Sequence, residues 1–116
     1  SYQFSDPKRG DVIVFNPPMV EREKDRFIKR IIGIPGDTVV VSGLDTYVNG
    51  IKLDEQFVMY PSARTASTTL GENEYFVMGD NRVQSLDSRV FGPIDTDKVR
   101  GRAFVVIWPA SAWAWL

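Results

Sequence analysis

Every apolar run in this chain is closed by a turn residue before it reaches the length of a helix. Val12-Ile13-Val14-Phe15-Asn16 follows Arg9-Gly10-Asp11 and stops at Pro17-Pro18. Phe27 to Ile34 ends at Pro35-Gly36-Asp37, and Thr38-Val39-Val40-Val41 follows at once. Asn49-Gly50 sits between the alternating residues Tyr47-Val48 and Ile51-Lys52-Leu53, the pattern of a two-residue type I′ hairpin. Glu74-Tyr75-Phe76-Val77-Met78 is a further short β-prone run, and Ala103 to Trp108 reads as a last strand within Val99–Trp108, broken at Pro109. No stretch shows sustained helical periodicity. Short strands separated by Gly, Pro and Asn turns predict an all-β, mainly antiparallel domain, a coiled sheet or partial barrel. The charge run 20–26 reads as a solvated loop. Residues 61–73, small and polar, read as another loop.

With 116 residues the chain has room for one core. We therefore expect a single domain over 1–116, with a small β-hairpin insertion around 38–74. The net charge of −1 offers no basic field, which argues against nucleic acid as a partner. The chain has no cysteine and no histidine, so disulfides, thiolate or imidazole metal sites and a Ser-His-Asp triad are excluded within it. No metal or cofactor is expected. Any hydrolytic base among these residues must be a lysine or a carboxylate. No apolar run approaches the ~18 residues that a membrane helix needs.

Lys29 is the lead chemical candidate. Strand alternation puts it on one face with Phe27 and Ile31, and sets Ile28, Arg30 and Ile32 on the other. A lysine held between large apolar side chains loses water, which disfavours its ammonium form and suits a neutral base. The plainer alternative is a lysine that snorkels its head out from an edge strand. Arg30, facing away, should matter less to the chemistry than Lys29.

The segment Gly79 to Arg89 is dense in short polar and charged residues and offers nothing to a core. Ser85 or Ser88 could hydrogen-bond the lysine amine. Asp80 with Arg82, and Asp87 with Arg89, are two apart, so each pair is expected to point the same way and brace the loop. The plainer alternative is a charged surface loop with internal caps. The Arg9-Gly10-Asp11 triplet reads as a turn before a strand.

These segments resemble, in order and over nearly the whole chain, the sequence blocks of type I signal peptidase. Pro7 to Phe15 is similar to the segment that follows that family's nucleophile block. Phe27-Ile28-Lys29-Arg30-Ile31-Ile32-Gly33-Ile34-Pro35-Gly36-Asp37 is similar to its lysine block, and Gly79 to Gly92 to its Gly-Asp-Asn-Arg block. Gly101-Arg102-Ala103 fits the family's final motif. The resemblance implies a membrane-anchored serine endopeptidase with a Ser-Lys dyad. It implies removal of signal peptides from exported preproteins on the extracytoplasmic face of the membrane. It makes Lys29 the general base and Ser85 the hydroxyl that orients it, with Asp80, Arg82, Asp87, Ser88 and Arg89 as the supporting network.

The family's Ser-Met-x-Pro-Thr nucleophile motif has no match in residues 1–8, where Ser1 and Ser5 lack its context. The nucleophile and the membrane anchor are therefore expected outside this chain, and the chain alone is expected to be inactive. A non-catalytic β module binding extended peptides or membrane surface is the alternative. A self-cleaving repressor-type protease would share the Ser-Lys logic, but its Ala-Gly cleavage site and DNA-binding helices are not seen. The tail from Trp108 to Leu116 holds all three tryptophans. It is expected to touch the membrane surface, to enter a substrate groove through Ala110-Ser111-Ala112, or to cover its own core.

Overall fold

The computed structural model describes residues 6–19, 26–43, 45–54, 65–82 and 85–103. The strands are β1 (Val12–Phe15), β2 (Phe27–Gly33), β3 (Thr38–Ser42), β4 (Asp45–Val48), β5 (Ile51–Lys52), β6 (Ala66–Thr69), β7 (Glu74–Met78), β8 (Ile94–Asp95) and β9 (Val99–Ala103). One helical turn, α1 (Ser88–Phe91), and a 3-10 turn at Thr96–Lys98 complete the described elements. The strands form a five-stranded sheet ordered β8-β7-β2-β1-β9 and a four-stranded sheet ordered β5-β4-β3-β6. All the pairings are antiparallel, and no closed barrel forms among the described residues.

Two cores follow from the alternation of side chains. On one face of the large sheet Ile13, Phe15, Ile31, Tyr75, Val77 and Ile94 pack together. On the other, Ile32, Phe76 and Met78 meet Val39, Val41, Val48 and Leu70 of the small-sheet region. β7 is buried along Tyr75–Met78 because it has a core on each side, which explains its unbroken apolar run.

The chain passes from the large sheet to the small one at Gly33 and the Pro35-Gly36-Asp37 turn. A Cβ on Gly33 would lie 2.5 Å from Val39 Cγ2 and 2.8 Å from Leu70 Cδ1, so a side chain there would force the two layers apart. The Asn49-Gly50 hairpin forms as the sequence predicts, with φ of 53° and 81° at its two central residues. Tyr47 faces Lys52 and Val48 faces Ile51 across it.

The structure corrects two boundaries. Residues 66–69, expected within a loop, are the edge strand β6, paired with β3 from Thr38↔Thr69 to Val41↔Ala66. An edge strand needs backbone partners more than apolar side chains, and its two threonines are β-branched, so a polar run serves. The last strand starts earlier than its apolar stretch suggested, at Val99, and pairs with β1. Val20 to Asp25 of the charge run, and the tryptophan-rich tail, lie outside the described residues. Among the described residues no helix is long and apolar enough to cross a membrane.

Candidate active site

Lys29 lies in the middle of β2, opposite Ile13 of β1, and is buried, with 7 % of its surface exposed. Its Nζ stands 5.7 Å from the centre of the Phe27 ring. Phe27 in turn meets Phe15 and Phe91 edge to face, at 6.2 and 6.4 Å. The lysine therefore opens onto an aromatic wall. Burial lowers its pKa below the ordinary lysine value; Asp87 and, less strongly, Asp80 pull it back up, while Arg89 pushes it down further. The snorkelling alternative does not hold, because the side chain stays inside. A buried amine held towards its neutral form is equipped to accept a proton.

The segment after β7 folds as a ring of hydrogen bonds. The Gly79 N–H is shared between Ser85 Oγ and Asp87 Oδ2, each at 3.0 Å. Ser85 gives its own proton to Asp87 Oδ2 at 2.6 Å. Arg89 donates from Nε to Asp87 Oδ1 and from Nη2 to Asp87 Oδ2, both at 2.9 Å, and Nη2 also reaches the Arg82 carbonyl. Arg82 Nε closes the ring on the Gly79 carbonyl at 2.8 Å. Asp87 also caps α1, accepting the Arg89 N–H. Burial would raise the Asp87 pKa, but hydrogen bonds from Arg89, Ser85 and the Gly79 amide outweigh it and hold the group below its usual range. Asp87 is thus an anion at neutral pH. Ser88, the other serine considered for the amine, accepts the Val77 N–H at 2.9 Å and serves the end of β7.

One expected pair does not form. Asp80 binds Arg30 rather than Arg82, through Nε at 3.0 Å and Nη2 at 2.8 Å. Alternation does set Arg30 on the face opposite Lys29, beside Met78 of β7. From there its fork spans to the Gly10 carbonyl and to the fully buried Asp80, tying the start of β1 to the lysine's own loop. The bidentate geometry across two elements outcompetes a neighbour two residues away, because it matches the planar fork to both carboxylate oxygens.

Sequence reasoning gave Asp37 no role, yet it is the second polar centre of the molecule. It accepts both Arg9 Nε and Nη2 at 2.7 Å, the Ile34 N–H at 2.9 Å and the Asn49 amide at 2.9 Å. The hydrogen bonds from Arg9 lead the causes that lower its pKa to about 2. The available signal was an aspartate closing a Pro-Gly turn, a position where the carboxylate caps local amides. Its distant partners were not readable.

A mainly antiparallel β fold that buries a lysine beside a braced Gly-Asp-Asn-Arg loop is the architecture that the sequence blocks implied. Comparison with known proteins agrees. The family model for signal peptidase, peptidase S26, matches residues 1–108. A probable signal peptidase I-2 of Synechocystis sp. is 46 % identical over 94 % of this chain and 52 % of its own length. The signal peptidase I of Leptolyngbya laminosa is 37 % identical over 96 % of this chain and 58 % of its own length. A crystal structure of a signal peptidase I from Enterococcus faecalis superposes with a TM-score of 0.72 at 32 % identity, covering 87 % of this chain and 99 % of that one. The chain belongs to the signal peptidase family, peptidase S26. It spans a little over half the length of the first two curated relatives.

Proposed function

We propose that the protein carrying this chain is a serine endopeptidase that removes signal peptides from exported preproteins. Residues 1–116 belong to its catalytic domain, whose nucleophile segment lies outside them, with the small sheet as an insertion around 38–74, and Lys29 is the general base. The observation that carries this reading is the buried lysine, its pKa pushed down by burial and its charge felt by Asp87, the carboxylate that anchors the Ser85 hydroxyl. A serine supplied from outside these residues loses its proton to neutral Lys29 as its Oγ attacks the carbonyl that follows a small side chain. The resulting Lys29 ammonium then protonates the departing amine, leaving an acyl-enzyme. Water, deprotonated by the same lysine, releases the product.

Ser85 has one proton, and it is committed to Asp87. Its Oγ also accepts the Gly79 N–H, which leaves one lone pair and no hydrogen bond to Lys29 in this structure. In the reacting site that lone pair would accept an N–H of Lys29 and turn the amine's free pair towards the nucleophile. Asp80, Arg82, Asp87, Ser88 and Arg89 hold that arrangement, and no metal or cofactor takes part. An extended preprotein segment adds beside the sheet as a strand. The complete protein is held at the membrane, with this domain on the extracytoplasmic face. A non-catalytic β module would leave the buried lysine without a use, since burying an amine in an apolar core costs stability.

The test is cleavage of a preprotein by the complete protein and by its Lys29→Ala variant. Loss of cleavage in a folded variant is expected. Full activity without Lys29 would overturn the assignment.

A further inference from the structure

The ring of hydrogen bonds from Gly79 to Arg89 is closed on itself, so something must fix its attitude to the rest of the molecule. Arg82 supplies a tether. Its side chain is buried, its Nε holds the Gly79 carbonyl, and its Nη1 points to Thr46 Oγ1 at 3.3 Å. Thr46 is in β4 of the small sheet, 36 residues earlier, with 1 % of its surface exposed.

The residue type at 46 is informative. The inward positions around it are valines: Val39 and Val41 on β3, and Val48 on β4. Val41 is the direct cross-strand partner of Thr46. Valine has the shape of threonine and would bury more apolar surface there. A hydroxyl in that slot costs desolvation unless something needs it. The group that uses it is a guanidinium, which cannot shed its charge when buried and so gains most from an added acceptor.

We infer that Thr46 is a positioning residue: through Arg82 it orients the Gly79–Asp87 ring against Lys29, which makes the four-stranded sheet part of the catalytic device. The inference rests on the lysine-base reading above. Gly79 is the hinge of the argument. Its carbonyl is held by Arg82, and its N–H is held by Ser85 and Asp87. A shift of Arg82 therefore turns the Gly79 peptide and displaces the Ser85 hydroxyl and the Asp87 carboxylate, whose charge acts on Lys29.

The experiment uses the complete protein with Thr46→Val, Thr46→Ser and Lys29→Ala, and a peptide bearing a signal-peptide cleavage site. For Thr46→Val, kcat should fall about tenfold, with KM nearly unchanged. The acid limb of the kcat–pH profile should move, because the lysine's neighbours have moved. Thr46→Ser should restore kcat and the profile. The Gly79 amide should exchange hydrogen faster in Thr46→Val than in the parent. An unchanged kcat, pH profile and Gly79 exchange rate in Thr46→Val would overturn the inference. So would a loss in which kcat, KM and melting temperature all fall together and serine does not restore them. If Thr46→Val fails to fold, Thr46→Ala removes the same hydroxyl while leaving the Arg82 hold on the Gly79 carbonyl, and is read by the same kcat, KM and exchange measurements. Activity surviving in Lys29→Ala would instead overturn the lysine-base reading. The Gly79 exchange rate then still decides whether Thr46 holds the ring.

Discussion

Asp37 and Asp87 are each held by an arginine fork, backbone amides (one for Asp37, two for Asp87) and one further polar side chain, yet they sit in opposite surroundings. Asp37 ties the turn after β2 to Arg9, whose side chain is half exposed, and to the Asn49 hairpin. Asp87 ties the loop after β7 to Arg89, and both side chains are buried. A bridge that reaches water can let its partners rehydrate when it breaks. A dry one cannot, and removing either partner leaves an uncompensated charge inside. The wet bridge holds a turn of the fold, and the dry one holds the Ser85 hydroxyl and the loop whose charges act on Lys29. The contrast teaches that similar sets of hydrogen bonds differ in worth with the access of water to the partners.

The largest effect should come from Lys29, a buried lysine that forms no ion pair among the described residues. Lys29→Met should cut preprotein cleavage at least about 100-fold, the scale of a lost general base, while raising the melting temperature. The sign follows from the lowered pKa. Between the folded and unfolded lysine values the unfolded chain binds the extra proton, so the lysine's destabilising effect is present at neutral pH and fades as pH rises towards the unfolded value of 10.5. Melting curves of both proteins from neutral to alkaline pH should therefore converge. A gap that stays constant would show that burial does not neutralise the amine.

Next in size is the dry bridge. Asp87→Ala should cost about 3–5 kcal/mol in urea denaturation and lower kcat with it, since Arg89 is stranded and Ser85 loses its acceptor. Loss of kcat with unchanged stability would instead give Asp87 a direct chemical part.

Arg30→Ala should follow closely, at about 3 kcal/mol or more, because Asp80 is then buried unpaired. Facing away from Lys29 does not make Arg30 dispensable, as alternation alone suggested. Its partner belongs to the lysine's loop, so kcat should fall as well. A variant with full activity and stability would break the link between the two faces.

The smallest effect belongs to the wet bridge. Asp37→Asn should cost about 1 kcal/mol with preprotein cleavage unchanged. The ionised Asp37 contributes fully above its unfolded value of 3.8 and loses that contribution as pH falls towards about 2. The parent should therefore lose stability over that acid window more steeply than Asp37→Asn. Parallel acid transitions would place the acid sensitivity elsewhere.

Much of this molecule was legible because it is local. Asn49-Gly50 demands positive φ at adjacent residues, and it made the turn it promised. The two-residue period put Lys29 with Ile31 on one face and Ile32 on the other, and the two cores form on those faces. The family blocks were readable as ordered motifs, and the fold that they implied is present. β6 was missed because its four residues carry no apolar signal; only the vacant edge of β3 makes them a strand.

The site was half legible for the same reason. Asp87 with Arg89 could be read from spacing, because both fall within one turn of chain. Arg30 with Asp80, 50 residues apart, could not, and neither could Arg9 with Asp37 or Arg82 with Thr46. By itself the sequence determined the turns, the strand faces and which lysine would be held among apolar side chains, since these depend on φ preferences and a period of two. Which cation meets which buried carboxylate across the fold, beyond the local Asp87–Arg89 pair, was decided only by the tertiary structure. A charge taken out of water binds whatever acceptor the packed sheets bring within reach, and that distance is not written along the chain.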